Sequence, residues 1–413
     1  MKKVGLSFLA LAIFSVFLYS CKTETITAPE NTNTIKIGAL LSYSTGEWTT
    51  LGKTSKSAIG IAEVRANSHF ASINSNNRVS VVYSDTYMNA DSALSQIRRM
   101  YASGIRIVIG PQSSSEVAKI KPFADSSGMV VISQGSTAGS LSIPGDNIFR
   151  FCPVDSMEAK ASVALMNYDT IKYMIPVYRT DVGNTGLFNS VSGYFASSVS
   201  GGTIAAAISY DASTTNFAPI VALIKARILA TPPGVRAGVY LAAFDENVQI
   251  FLAASSDPVL SSVKWYGSDG VVQSTALTGN TTASSFAAAV KYDCPIFGLD
   301  ASTAALRAPL TTQIISETGI QPDAFTFAAY DAFYVAALTV NDVPTFSTSA
   351  YKTAFISRAN TYSGMTGSTT LNASGDRATA NFDFWAVRPN GATYQWKIVA
   401  KYNSATGVIE ITE

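Results

Sequence analysis

Histidine is almost missing from this chain, with one residue, His69, in 413. Metal motifs built on paired histidines are therefore impossible, and a histidine-based triad would have to use His69, near the polar end of a predicted helix. Charge is scarce as well, at 14% of residues, and balanced, with 29 Lys and Arg against 28 Asp and Glu. Nucleic acid is excluded as a partner on that ground, because phosphate binding needs a clustered excess of basic side chains. No G-x-S-x-G nucleophile elbow and no G-x-x-x-x-G-K-[ST] phosphate loop occurs. Ser261 and Ser349 each precede a lysine by three residues, but the Lys-Thr-Gly partner of that arrangement is missing. The expectation is a protein without a catalytic constellation, a metal site or a cofactor. Cysteine is limited to Cys21, Cys152 and Cys294.

Long apolar runs are confined to the start. Lys2 and Lys3 precede a nearly uninterrupted apolar stretch from Val4 to Tyr19, and Cys21 follows Leu18-Tyr19-Ser20. This order reads as a secretory signal over 1–20 ending in a lipobox, with Cys21 as the lipidated residue that holds the protein on a bacterial membrane, facing the periplasm or the cell exterior. The stretch is shorter than the roughly 20 residues that span a bilayer. Residues 21–34 continue as a Thr-rich polar segment with Pro29 and no apolar periodicity, which reads as a tether. With Cys21 taken up by lipid, Cys152 and Cys294 remain as a pair in an oxidising compartment.

About 380 residues are left to fold, enough for two lobes rather than one core. Apolar, β-branched runs alternate with helix-length stretches. IKIGALLS (35–42), VSVVYSD (79–85), IRIVIG (105–110) and MVVISQ (129–134) form one series, and KYMIPVYR (172–179), TIAAAISYD (203–211), VRAGVYLAAF (235–244) and VKWYGSD (263–269) a second. Such repetition implies parallel sheets covered on both faces, hence an α/β fold with two Rossmann-like lobes. Ligands of open parallel sheets bind beyond the carboxyl ends of the strands. The turns there are rich in Gly, Ser, Thr and Asp: Ser42 to Trp48, Gly110 to Ser115, Gln134 to Thr137, Asp181 to Gly186 and Gly267 to Gly270. Each can present N–H groups and hydroxyls at a helix N-terminus, either as an anion site or as an ordinary cap.

IKIGALLSYSTGEWTTLG, IRIVIGPQSSSEVAKI, MVVISQGSTAGSL, NIFRFCPVD, WYGSDGV, FAAYDAFYVAAL and GMTGSTTLNASGDRATANFDFWAVRPNG follow one another in the chain. In that order they resemble the type I periplasmic binding proteins of the branched-chain amino acid receptor family. The resemblance implies two lobes joined by a three-strand hinge, 35–151 plus 296–381 and 152–295 plus 382–413. It also implies capture of an amino acid or similar small solute and delivery to an ABC permease, with a ligand sensor signalling to a membrane partner as the alternative. Carried over residue by residue, Ser113 and Ser114 with Gly135, Ser136 and Thr137 would hold a ligand carboxylate. Asp269 would receive the ammonium, Trp48 and Phe244 would wall the ligand, and Asp181 would stand in the loop that sets side-chain specificity. The alternative role for Asp269 is to cap the following helix. Cys152 and Cys294 would lie on the first and second crossover strands, bridged or as two buried free thiols.

Overall fold

The computed structural model describes residues 32–343 and 345–413. The signal segment, Cys21 and most of the tether fall outside the described residues. Asn33 and Thr34, read as the end of the tether, are instead the first residues of a strand and pair with Asn77 and Arg78.

The first series is β1 (Asn33–Leu41), α1 (Thr49–Ser72), β2 (Asn77–Asp85), α2 (Ala90–Ala102), β3 (Ile107–Ile109), α3 (Ser114–Ser127), β4 (Val130–Ser133) and β5 (Ile148–Arg150). Its sheet is parallel throughout, in the order β2-β1-β3-β4-β5. Both faces are covered, and β1 shows why its second half, Ile37 to Leu41, is an unbroken apolar run. Ile37, Ala39 and Leu41 face a core shared with α1, whereas Leu40 joins Ile97, Met100, Val117 and Ile120 of α2 and α3 on the other face.

The second series is α4 (Asp155–Tyr168), β6 (Tyr173–Arg179), α5 (Val182–Ser198), β7 (Thr203–Ile204), β8 (Ile208–Tyr210), α6 (Ala218–Leu229), β9 (Ala237–Ala242), α7 (Asn247–Ala254), β10 (Lys264–Tyr266), α8 (Thr275–Thr278), α9 (Thr281–Ala289) and β11 (Asp293–Phe297). The chain then returns to the first lobe for α10 (Ala304–Thr318), α11 (Ala324–Asp342), α12 (Thr348–Thr361) and the small pair β12 (Ser363–Gly364) and β13 (Gly367–Ser368). α11 packs on α1 and is buried along nearly its whole length, which is why FAAYDAFYVAAL lacks a polar face. A third passage leads to β14 (Phe382–Asn390), β15 (Thr393–Asn403) and β16 (Val408–Ile411).

Those last strands add antiparallel pairing to the expected parallel sheets. The second sheet runs β16-β15-β14-β11-β10-β9-β6-β7 and is antiparallel from β11 outward. No helix separates β14 from β15, and a tight turn through Asn390 and Gly391 (φ 62°) joins them, so they can only pair as a hairpin. β11 continues to Phe297 within this sheet, so the second passage between lobes starts at Gly298.

The two thiols are not joined. Cys152 and Cys294 are free and fully buried, Cys152 Sγ pointing to the Ser136 carbonyl (3.3 Å) and Cys294 Sγ packed beside Gly267 and Tyr292. Each sulfur is thus held by its own surroundings, and the bridged alternative is replaced by two buried thiols, whose pKa values burial raises. Among the described residues no helix is long and apolar enough to cross a membrane.

Candidate functional site

The strand ends of both lobes converge on one small cavity of about 200 Å³. It is lined from the first lobe by Glu47, Trp48, Met88, Asn89, Ser113, Ser114, Ser115, Gly135 and Thr137, and from the second by Arg179, Asp181, Gly183, Asn184, Leu187, Ala212, Phe244 and Asp269. A larger groove of about 920 Å³ lies on the outer face of the first lobe, along α1 and α10. It opens to solvent and gathers residues of one lobe only, so the smaller cavity, which both lobes line, is the candidate site.

On the first lobe the geometry favours an anion. Ser113 caps α3 in a reciprocal box: its hydroxyl donates to Glu116 Oε2 (2.6 Å), and the Glu116 N–H donates back to it (3.3 Å). The hydroxyl proton of Ser113 is therefore engaged. Ser114 differs, because its Oγ accepts from Ser136 Oγ (3.1 Å) and from the Ala138 N–H (3.2 Å), which leaves its own proton to donate into the cavity. Ser136 does not line the cavity and instead orients Ser114. Beneath this loop, Arg150 and Asp376 form a fully buried ion pair (2.5 Å), and Arg150 also donates to the carbonyls of Ser136 and Ala138. Gln112 fixes the opposite side by donating to the Trp48 carbonyl (3.0 Å) and accepting from the Ser42 N–H (3.2 Å). A side chain at Gly135 would collide with the Gln112 carbonyl (2.9 Å), so the close packing of these loops requires glycine there.

On the second lobe Arg179 is the hub. It donates to Asp181 (2.7 Å), to Glu246 (3.4 Å) and, across the cleft, to Glu47 (2.5 Å), and it lies over the Phe244 ring at 4.5 Å. Burial opposes its charge, but the carboxylates of Glu246, Glu47 and Asp181 outweigh burial and raise its pKa. Asp181 also caps α5 through the Asn184 N–H (2.9 Å), so its carboxylate is already engaged. Phe244 stacks obliquely on Trp48, centroids 5.0 Å apart, and Gly270 beneath it has no room for a side chain. Asp269 is buried at the floor, and burial, then the charge of Asp155, raises its pKa to about 7. It caps no helix: α8 is capped by Ser274, and the short turn at 269–271 has no side-chain cap.

The lobes stand closed. Besides Glu47 and Arg179, the Trp48 N–H donates to Asp245 (3.0 Å), the Val182 N–H to Ser115 Oγ (3.3 Å), and Thr50 meets Thr275 (3.0 Å). Of the side chains expected at the site, Trp48, Ser113, Ser114, Gly135, Thr137, Asp181, Phe244 and Asp269 line this cavity. Glu47, Arg179, Met88 and Leu187 were not singled out from sequence. Arg179 carried a signal in hindsight, as a lone cation ending a strand one residue before a Gly- and Asp-containing turn.

Residues 55–390 match the family described as receptor family ligand binding region. An uncharacterised protein of Methanocaldococcus jannaschii is 27% identical over 423 residues, covering 97% of this chain and 98% of that protein. Among solved structures, the branched-chain amino acid transporter substrate-binding protein LivJ of Streptococcus pneumoniae in complex with isoleucine superposes with a TM-score of 0.71 at 18% identity, covering 89% of this chain and 99% of that one. An ABC transporter solute-binding protein of Rhodopseudomonas palustris in complex with 3,4-dihydroxybenzoic acid also gives 0.71, at 15% identity, covering 90% and 98%.

Proposed function

This chain belongs to the receptor family of ligand-binding regions, with the type I periplasmic binding protein fold, and from that premise we propose that it captures a small zwitterion, an amino acid or a close analogue, by closing its lobes. The captured solute is delivered to an ABC permease, and lipid on Cys21 keeps the protein at the membrane outside the cytoplasm. The protein binds and releases its ligand without turning it over.

The observation that carries this reading is the opposition of charge preference across the cavity. The first lobe offers the Ser114 hydroxyl, Thr137 and the N-terminus of α3, oriented before any ligand arrives. The second lobe offers Asp269, which has no cation within ion-pair distance among the described residues. Only a ligand with both charges satisfies both lobes, so its binding favours the closed form. A purely anionic aromatic acid fits the Trp48 and Phe244 wall but would leave Asp269 unpaired, which favours the amino acid.

Mass spectrometry of the solute released on unfolding identifies the ligand, and calorimetry then tests the role of Asp269. Asp269→Ala is expected to weaken binding at least tenfold, about 1.4 kcal/mol, with the melting temperature nearly unchanged. Unchanged affinity would exclude an ammonium at this position. Loss of solute uptake on gene deletion, with the permease retained by the closed form, tests delivery; turnover of the bound compound would overturn the binding reading.

A further inference from the structure

Charge is distributed unevenly around the cavity. Among the described residues its lining carries the carboxylates of Glu47, Asp181 and Asp269 against the guanidinium of Arg179. The groups behind the wall do not redress the balance. Glu246 stands behind Arg179 and accepts from the Tyr210 hydroxyl (2.9 Å), and Asp245 accepts from the Trp48 N–H (3.0 Å) and the Ser274 hydroxyl (2.5 Å). Arg150, under the Ser136 loop, is already paired with Asp376.

The lining carboxylates differ in what they can still accept. Asp181 is fully engaged: its Oδ1 accepts from the Asn184 N–H (2.9 Å), and its Oδ2 from Arg179 Nε (2.7 Å) and Asn184 Nδ2 (2.7 Å). Glu47 is not, because Arg179 Nη1 takes Oε2 (2.5 Å) and no donor among the described residues reaches Oε1. Asp269, 7% exposed, has no cation partner among the described residues.

Closing the lobes brings Glu47 of the first beside Arg179, Asp181 and Glu246 of the second, so closure itself gathers like charge about one cation. A neutral zwitterion adds one charge of each sign and leaves that excess as it was. A ligand with a second cation offsets part of the excess, and its gain is largest in the closed form, where Glu47 is in place. Met88, Leu187, Trp48 and Phe244 supply apolar wall in the same cavity, which suits a methylene stem with a charged tip.

We propose that the captured solute is an amino acid with a second cationic group on an apolar stem, its α-ammonium on Asp269 and its side-chain cation on Glu47 Oε1. Asp181, fixed by its cap of α5, holds a negative charge beside that group. Glu47 is thereby a specificity-determining residue as well as a contact between lobes. Arg179 receives no ligand carboxylate in this scheme, because its charge is already shared among three carboxylates. The inference rests on the amino acid reading of the site and adds the class of side chain to it.

The test is calorimetry of the full chain at neutral pH with lysine, ornithine and arginine, with norleucine as the neutral analogue of lysine, and with glutamate. Lysine is expected to bind about tenfold or more tighter than norleucine, because the analogue leaves Glu47 without its partner. Glu47→Gln weakens every ligand by loosening the contact between lobes, so the readout is the ratio of the two affinities, which should fall toward one. Asp181→Asn keeps a capping side chain and should lower the same ratio. Norleucine binding as tightly as the cationic amino acids, or a ratio unchanged in both variants, overturns the proposal and leaves the amino acid reading intact. Glutamate binding tightest also overturns it and assigns the side chain to Arg179. If no amino acid binds, the amino acid reading fails separately, and cadaverine against n-pentylamine decides the charge preference: tighter binding of the diamine supports it, and equal or absent binding overturns it.

Discussion

At the scale of single residues, Arg179 serves the fold and the site through different partners. Its contacts with Asp181 and Glu246 are partly buried within the second lobe, whereas Glu47 reaches it across the cleft from a more exposed position. Removing the cation leaves two largely buried carboxylates without their partner, so Arg179→Leu should lower stability by about 2–3 kcal/mol in denaturant titrations at pH 8. The loss should shrink at pH 5, because burial already raises the pKa of Glu246 and protonation relieves it. Glu47→Gln breaks only the contact between lobes; it should leave stability unchanged and weaken ligand binding several-fold by calorimetry. Equal loss of stability in both variants would show that the pair has no role in closure. Residues such as Ser114, Thr137 and Asp269 were legible from sequence because they sit in short turns at strand ends, where the fold class itself dictates the ligand position. Ser113 was legible as a position but not as a role: Glu116 three residues later is a capping-box signal, and it takes the hydroxyl that a ligand would need. Arg179 acts through Glu246 and Glu47, 67 and 132 residues away, and such pairings are invisible without the fold.

At the scale of elements, the free edge of the first sheet shows how a nine-residue parallel strand avoids pairing with another molecule. β2 is that edge, and α1 covers its outward backbone groups with side chains. Asn67 donates to the Val79 carbonyl (2.9 Å) and accepts from the Val79 N–H (2.9 Å), and Glu63 accepts from the Val81 N–H (3.3 Å). Asn67→Ala should therefore cost about 1–2 kcal/mol and expose a pairing edge. Thermal denaturation and sedimentation check this, with a monomer of unaltered stability as the contrary result. Strands and helices of the first series were readable to within a few residues, because periodicity and turn residues agree there. TIAAAISYD was not. It reads as one strand but splits into β7 and β8, which pair β6 on either side of an interruption at 205–207. Three consecutive alanines offer no side chain large enough to hold a register against α6, and the Ala206 carbonyl turns instead to Arg227 Nε (3.3 Å).

At the scale of the whole molecule, three chain passages join the lobes, and carboxyl groups are buried on both sides of them. Burial raises Asp155, Asp323 and Asp331 to about 6 and Asp269 to about 7, with Asp269 helped by the charge of Asp155. Glu116 and Asp293 are raised for the same first reason. An unfolded aspartate titrates near 3.9. The folded chain therefore binds more protons than the unfolded chain between about pH 4 and pH 7. The stabilising contribution of these groups is complete below pH 4 and is lost as pH rises through their folded values. Carboxyls lowered by local hydrogen bonds, Asp211, Asp257 and Asp300, lie at the surface and act in the opposite direction at lower pH. Calorimetric scans of the ligand-free protein should accordingly show a melting temperature lower at pH 8 than at pH 5, by roughly 5 °C. A zwitterionic ligand supplies a cation at the floor just where ionised carboxylates accumulate, so its stabilising effect should be larger at pH 8 than at pH 5. A melting temperature that rises from pH 5 to pH 8 without ligand would mean that water or rearrangement relieves the buried carboxylates, and the floor would then exert no pull on an ammonium group.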